Sequence, residues 1–147
     1  MQYLAQFDIV VPKWPRGDAR IAEFYESTAY VNRLAETHPG FVWRESEEDI
    51  CLAEKFWGGG VLYTLSVWKD IESLKHFMYN TPHVSFMKRG AEWFRPINQP
   101  RVVLWWIAAG HCPSLDEASA KLRHLRMFGP GFEAFDLKHP FAPMSFQ

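Results

Sequence analysis

Val61-Leu62-Tyr63-Thr64-Leu65-Ser66-Val67-Trp68-Lys69-Asp70 is the stretch from which the fold is read. Val61, Tyr63, Leu65 and Val67 alternate with Leu62, Thr64, Ser66 and Trp68. A period of two, apolar on one side and mixed on the other, specifies a strand with two differently occupied faces. Asp70 ends the alternation and caps a helix whose apolar positions, Ile71, Leu74, Phe77 and Met78, share one side. A similar pairing of strand and helix stands at the start of the chain. Tyr3, Ala5, Phe7, Ile9 and Val11 alternate with Leu4, Gln6, Asp8 and Val10. Asp18 then caps a helix carrying Ile21, Phe24, Thr28, Val31 and Ala35, which His38-Pro39-Gly40 stops.

Between these two units, residues 41–46 read as a short strand, followed by a polar connection ending in Gly58-Gly59-Gly60. Downstream, Thr81-Pro82 restarts a helical run that continues to about Phe94, with Thr81 as N-cap and Pro82 at the first helical position. Pro96 and Pro100 separate it from a strand over residues 101–109. Ser114-Leu115-Asp116-Glu117 is a capping box, and Leu115, Ala118, Leu122 and Leu125 give the following helix its buried stripe. Gly129-Pro130 ends it. The order is β-α-β-β-α-α-β-α, which begins as the split βαβ arrangement. The expected fold class is therefore α+β, a ferredoxin-like βαββαβ unit with an added C-terminal helix. The whole chain, 1–147, reads as one domain, with 130–147 an irregular tail holding Phe132, Phe135, Phe141 and Phe146. Helices on one face of such a sheet leave the other bare. If the bare face carries Gln6, Asp8, Thr64, Ser66 and Trp68, it is too mixed for core and too aromatic for solvent, so a homodimer is expected.

Composition narrows the function. With 48% hydrophobic and 22% charged residues, the chain is an ordinary globule, but 16% aromatic residues exceed what a core of this size needs. Some of those rings are expected to line a cavity or an interface, the other reading being a simply aromatic-rich core. A net charge of −1 with no basic stripe excludes the electrostatic footprint of a nucleic-acid binder. Cys51 and Cys112 stand outside any CxxC pattern, as in a reducing compartment. The N-terminal residues read as a strand and not a leader, and no apolar run is long enough to cross a bilayer. A cytoplasmic location without membrane contact is expected.

Ser66-Val67-Trp68-Lys69-Asp70, with Leu74, Phe77 and Thr81-Pro82-His83 following, resembles the strand-helix signature of antibiotic-biosynthesis monooxygenases. Those proteins belong to the dimeric α/β-barrel superfamily. The second half is similar to an uncharacterised bacterial and fungal domain family within it. The shared features are Glu92-Trp93-Phe94, the strand ending in Leu104-Trp105-Trp106, the turn Gly110-His111 with Pro113, and the helix closing on Gly129-Pro130. The resemblance covers nearly the whole chain. It implies a dimeric α/β barrel with a cavity, in a group that includes cofactor-free oxygenases of aromatic polyketides, haem-degrading oxygenases, isomerases, cyclases and stress-response proteins. Fold does not choose among these.

His83, Phe86, Gly90 and Trp93 recur at i, i+3, i+7 and i+10, one stripe of a continuous helix. A pocket-facing histidine titrates near neutrality and can serve as acid or base, so His83 is the first catalytic candidate; it is equally placed to cap the helix start. Tyr79 and Arg44 are candidates to stabilise an enolate or phenolate, as is Tyr63, which is also taken with Gln6, Phe86, Trp93, Trp106 and Trp68 as substrate-binding. The resemblance makes Trp68 a pocket residue; packing at a dimer seam is its other reading. Trp105 and Trp106 must point to opposite faces of their strand. His111 sits where a turn needs a structural residue. The histidines show no metal-ligand spacing, and Gly58-Gly59-Gly60 precedes a strand where a phosphate loop would open a helix, so neither metal nor other cofactor is expected. The resemblance places a haem-ligating histidine at Met87, which argues against haem. The expected function is a cofactor-independent monooxygenase, isomerase or cyclase acting on a hydrophobic aromatic or polyketide-like molecule. The alternative is a non-catalytic small-molecule-binding or stress-associated protein.

Overall fold

The computed structural model of the chain describes residues 1–144. Phe146, assigned by sequence to the aromatic tail, lies outside them. Four strands, β1 (Gln2–Val10), β2 (Phe41–Arg44), β3 (Leu62–Trp68) and β4 (Val102–Ala108), form one antiparallel sheet in the order β2-β3-β1-β4. The helices are α1 (Ala22–Glu36), α2 (Ile50–Trp57), α3 (Ile71–Asn80), α4 (His83–Lys88), α5 (Gly90–Trp93) and α6 (Leu115–Phe128). The fold is mixed α+β, as expected.

The caps explain where the helices start. Asp18 accepts from the Arg20 N–H and opens a 3-10 turn, Ala19–Ile21, that leads into α1. Asp70 accepts from the Ser73 N–H at 2.7 Å, and Ser114 Oγ accepts from the Glu117 N–H at 3.1 Å. The latter is one half of the expected capping box, the Glu117 carboxylate being held by Trp105 and His111 instead. The chain between β2 and β3 departs from the expected open connection. Asp49 accepts from the Leu52 N–H and begins α2, a helix of only two turns. Its eight residues are too few to display a helical period, although Ile50, Leu52, Ala53, Phe56 and Trp57 all reach the core.

That extra helix changes the layering. α2 and α6 cover the face carrying Ala5, Phe7, Ile9, Tyr63, Leu65, Val67, Val103, Trp105 and Ile107. α1, α3 and the C-terminal segment cover the other, at Leu4, Trp68 and Leu104. The bare sheet face from which a homodimer was expected is therefore absent among the described residues. The mixed face of Gln6, Asp8, Thr64, Ser66 and Trp68 is the one beneath α1 and α3. Trp105 and Trp106 point to opposite faces, as alternation demands.

The run after Pro82 is not one helix: it is interrupted at Arg89 (φ −91°, ψ 1°), so the stripe His83-Phe86-Gly90-Trp93 does not hold. Thr81 still serves its start, its Oγ1 accepting from the His83 N–H at 3.3 Å. The tail, read as irregular, crosses the β4 edge, where Leu104 and Phe135 exchange both backbone hydrogen bonds.

Candidate functional site

The sheet face under α1 and α3 is apolar at one end and polar at the other. At the apolar end Trp68 is buried, its ring stacked on Phe77 at 4.9 Å, with Phe41 and His38 meeting it edge-on. His83 lies on Phe77 at 4.7 Å between ring centres, so a phenyl ring separates it from the indole. Burial holds the His83 imidazole below its ordinary pKa, in the neutral form.

From Trp68 a hydrogen-bond chain runs across the strands. The indole Nε1–H donates to Ser66 Oγ at 3.0 Å, and the Ser66 hydroxyl donates to Gln6 Oε1 at 2.8 Å. Gln6 faces Ser66 directly in the β1–β3 register, and Arg44 faces Ser66 from β2. Arg44 is committed to Glu36 Oε1 at 2.8 Å and to the Glu45 carbonyl. Two residues beyond Gln6 on the same face comes Asp8, opposite Thr64. Asp8 Oδ1 accepts from Arg101 Nη1 at 2.7 Å. The carboxyl keeps 25% of its surface yet is closely ringed by protein, and this desolvation pushes its pKa up to about 6 against the opposing pull of Arg101. Thr64 is exposed although β3 is an interior strand, so the helices leave this part of the face open.

The remaining candidate residues are dispersed. Tyr63 is on the opposite face, its hydroxyl donating to Glu45 and accepting from the Asp49 N–H, and burial with the neighbouring carboxylate raises its pKa. Trp93 packs on Phe24 and Phe94, and Phe86 on Tyr30, while Tyr79 is exposed. Trp106 donates to the Phe141 carbonyl at the tail. Of the nine residues singled out, the structure links Trp68 and Gln6 through Ser66, with Arg44 at the margin and His83 one ring away. It adds Asp8, Thr64 and Ser66, which sequence reading passed over as site residues. Their signal was an acid and two hydroxyls sharing the inner face of central strands. His111 Nε2 meets Glu117 Oε1 at 2.6 Å while Trp105 Nε1–H donates to Glu117 Oε2, so the Gly-His-x-Pro turn is tied structurally to α6.

Two hollows lie elsewhere. One of about 230 Å³ involves Gln2, Trp106 and Lys121. The larger, about 600 Å³, is a shallow groove over His38 and His76. There His38 Nδ1 accepts from the Gly40 N–H at 3.0 Å, which leaves Nε2 to donate to His76 Nδ1 at 2.8 Å. That arrangement requires neutral rings, and burial followed by the His76 charge lowers the pKa of His38. Because the folded value lies below the usual 6.5, this contribution to stability is present above pH 6.5 and is lost as pH falls below it. Urea midpoints measured at pH 7.5 and 5.5 should fall less in His76→Gln than in the parent protein. No group of three or more potential metal ligands occurs among the described residues.

Comparison with known proteins bears on the fold. A protein of unknown function from Nitrosomonas europaea, NE2512, superposes with a TM-score of 0.53 at 15% identity, over 78% of this chain and 97% of that one. PA3566 from Pseudomonas aeruginosa gives 0.51 at 12% identity, over 76% and 97%. At these identities the likeness is one of fold alone. No curated protein matches the chain. A family model described as "Domain of unknown function (DUF3291)" matches residues 3–147.

Proposed function

The chain belongs to the DUF3291 family, and from that premise we propose that it is a cofactor-independent enzyme that removes a proton from a flat hydrophobic molecule held against the sheet face of Gln6, Asp8 and Thr64. The strand order supports a ferredoxin-like unit, and the resemblance to antibiotic-biosynthesis monooxygenases supports a place beside them. What carries the proposal is the open stretch at Thr64, bordered by a carboxyl whose second oxygen, Asp8 Oδ2, is neither buried nor hydrogen-bonded to any described residue.

Oxygenation, isomerisation and cyclisation without cofactor share a first step, formation of a substrate anion. Asp8 is the base for it: Arg101 fixes one oxygen, the other is left free, and a pKa near 6 suits a base at neutral pH. His83 is the second candidate and acts only on a substrate that passes Phe77. The partner is accordingly a small hydrophobic molecule. The dimeric barrel implied by the resemblance would pack two sheets through a face that α2 and α6 occupy here, so it is not part of the proposal. The free, exposed thiols of Cys51 and Cys112 support a reducing, cytoplasmic setting, and no helix among the described residues is long and apolar enough to cross a membrane.

Deuterium exchange into 2-tetralone and 1,3-dihydroxynaphthalene, followed by mass spectrometry, tests the step. The wild type should accelerate exchange, with a rate rising through about pH 6, and Asp8→Asn should not. Equal rates in the two proteins would remove Asp8 from the role. Stability supplies a separate signature. A carboxyl with a raised folded pKa contributes stability that is present below 3.8 and lost as pH rises through about 6. Asp8→Asn should therefore be more stable than wild type by about 1–2 kcal/mol at pH 8, a difference that closes near pH 4.

A further inference from the structure

We infer that Gln6 is the group that binds the substrate's oxygen, and that the site takes carbonyl compounds or phenols whose acidic hydrogen belongs to the same conjugated unit. This rests on the proton-removal reading above and specifies its substrate. The direction of the hydrogen-bond chain carries it. An indole nitrogen only donates, so Ser66 Oγ must accept from Trp68, and the serine proton is then available for Gln6 Oε1. With its carbonyl end engaged, Gln6 presents its amide nitrogen as the free end. That nitrogen is not buried and makes no hydrogen bond to any described residue. The side-chain N–H groups therefore stand as donors along the same sheet face as the free oxygen of Asp8.

Trp68 is buried and stacked, so the chain is anchored at its far end in packed core. Donors held in this way need no reorganisation when charge develops, the property that makes an oxyanion site effective. Residues two apart on one strand face are separated by roughly 7 Å. A donor and a base at that separation bracket one ring or one enone. The proton passes from a carbon conjugated to the carbonyl to Asp8 Oδ2, and its bonding pair moves through the conjugated unit onto the substrate oxygen that Gln6 holds. Return of the proton from Asp8 to another carbon of the conjugated unit completes an isomerisation with no oxidant or reductant. Ser66 is a positioning residue, because it touches Gln6 and not the substrate.

Binding of 4-nitrophenolate reads the donor without requiring turnover, and naphthalene reads the apolar surface alone. The titrations are made in Asp8→Asn at pH 8, where no carboxylate repels the anion. Saturable binding of 4-nitrophenolate, read from a displacement of its visible band, is expected. Gln6→Glu, which keeps the shape but replaces the donor by a charged acceptor, should weaken it roughly ten- to hundredfold. Gln6→Leu should abolish the shift and leave naphthalene affinity unchanged. Ser66→Ala should reduce phenolate affinity by a smaller factor and broaden the shift, since Gln6 is no longer held. If both Gln6 variants bind 4-nitrophenolate within twofold of the parent while naphthalene still binds, the role of Gln6 is overturned and the site on the sheet face survives. If neither probe binds, the site itself is overturned.

Discussion

Trp105→Ala is expected to lower the unfolding free energy by about 3–5 kcal/mol, whereas Trp106→Ala, one residue on, should cost about 1–2 kcal/mol. Trp105 is 1% exposed and sits in the larger core beneath α6. Its loss opens a cavity that the surrounding residues, fixed by two packed layers, cannot fill. It also takes away one of two groups that hold the Glu117 carboxylate, leaving His111 alone against it. Trp106 instead lies half-buried below the tail and donates to a single carbonyl. Paired urea titrations of the two variants give the comparison. Equal losses would mean that the strand faces are assigned wrongly.

Gly40→Ala should cost about 3 kcal/mol, at the upper end for an overpacked site. A Cβ at this position would stand 2.1 Å from Ser73 Oγ and 2.2 Å from Ser73 Cβ, so α3 itself would have to move. Neither clashing atom belongs to a long flexible side chain that could swing aside. The double variant Gly40→Ala with Ser73→Gly provides the check. Ser73→Gly alone should cost about 1 kcal/mol as a glycine in a helix, and the further loss on adding Gly40→Ala should be well below about 3 kcal/mol. Additive losses would show that the cost of alanine at Gly40 comes from something other than this contact.

That glycine shows where sequence reading stops. His38-Pro39-Gly40 marked the end of α1 correctly, but as a helix stop, while the specific need for glycine is the approach of α3 some thirty residues later. The period of β3, the alternation of β1 and the caps at Asp18, Asp70 and Ser114 are local signals, and the structure follows them. α2 escaped because two turns carry too little period. Its absence from the reading then left one sheet face without cover and called for a second chain. In the site, alternation tied Gln6 to Asp8 on β1 and Trp68 to Ser66 and Thr64 on β3, while the register that puts both rows on one sheet face is a tertiary fact. Asp8 was visible as an acid on that face, yet its significance depends on which helices stop short of Thr64, a tertiary fact. The stripe linking His83 to Trp93 failed for the converse reason: spacing was taken as continuity, and one residue of altered backbone, Arg89, was enough to separate the ends.

The bridge between Leu104 and Phe135 has a consequence for assembly. A sheet grows into a fibril only if every unit offers two open borders, one to add to and one to be added to. Among the described residues, the β4 border is blocked near its middle by the chain's own tail, which leaves β2, four residues long, as the open edge strand. Units that joined through that single border would do so edge to edge about a twofold axis, and such strand pairing would stop at two copies.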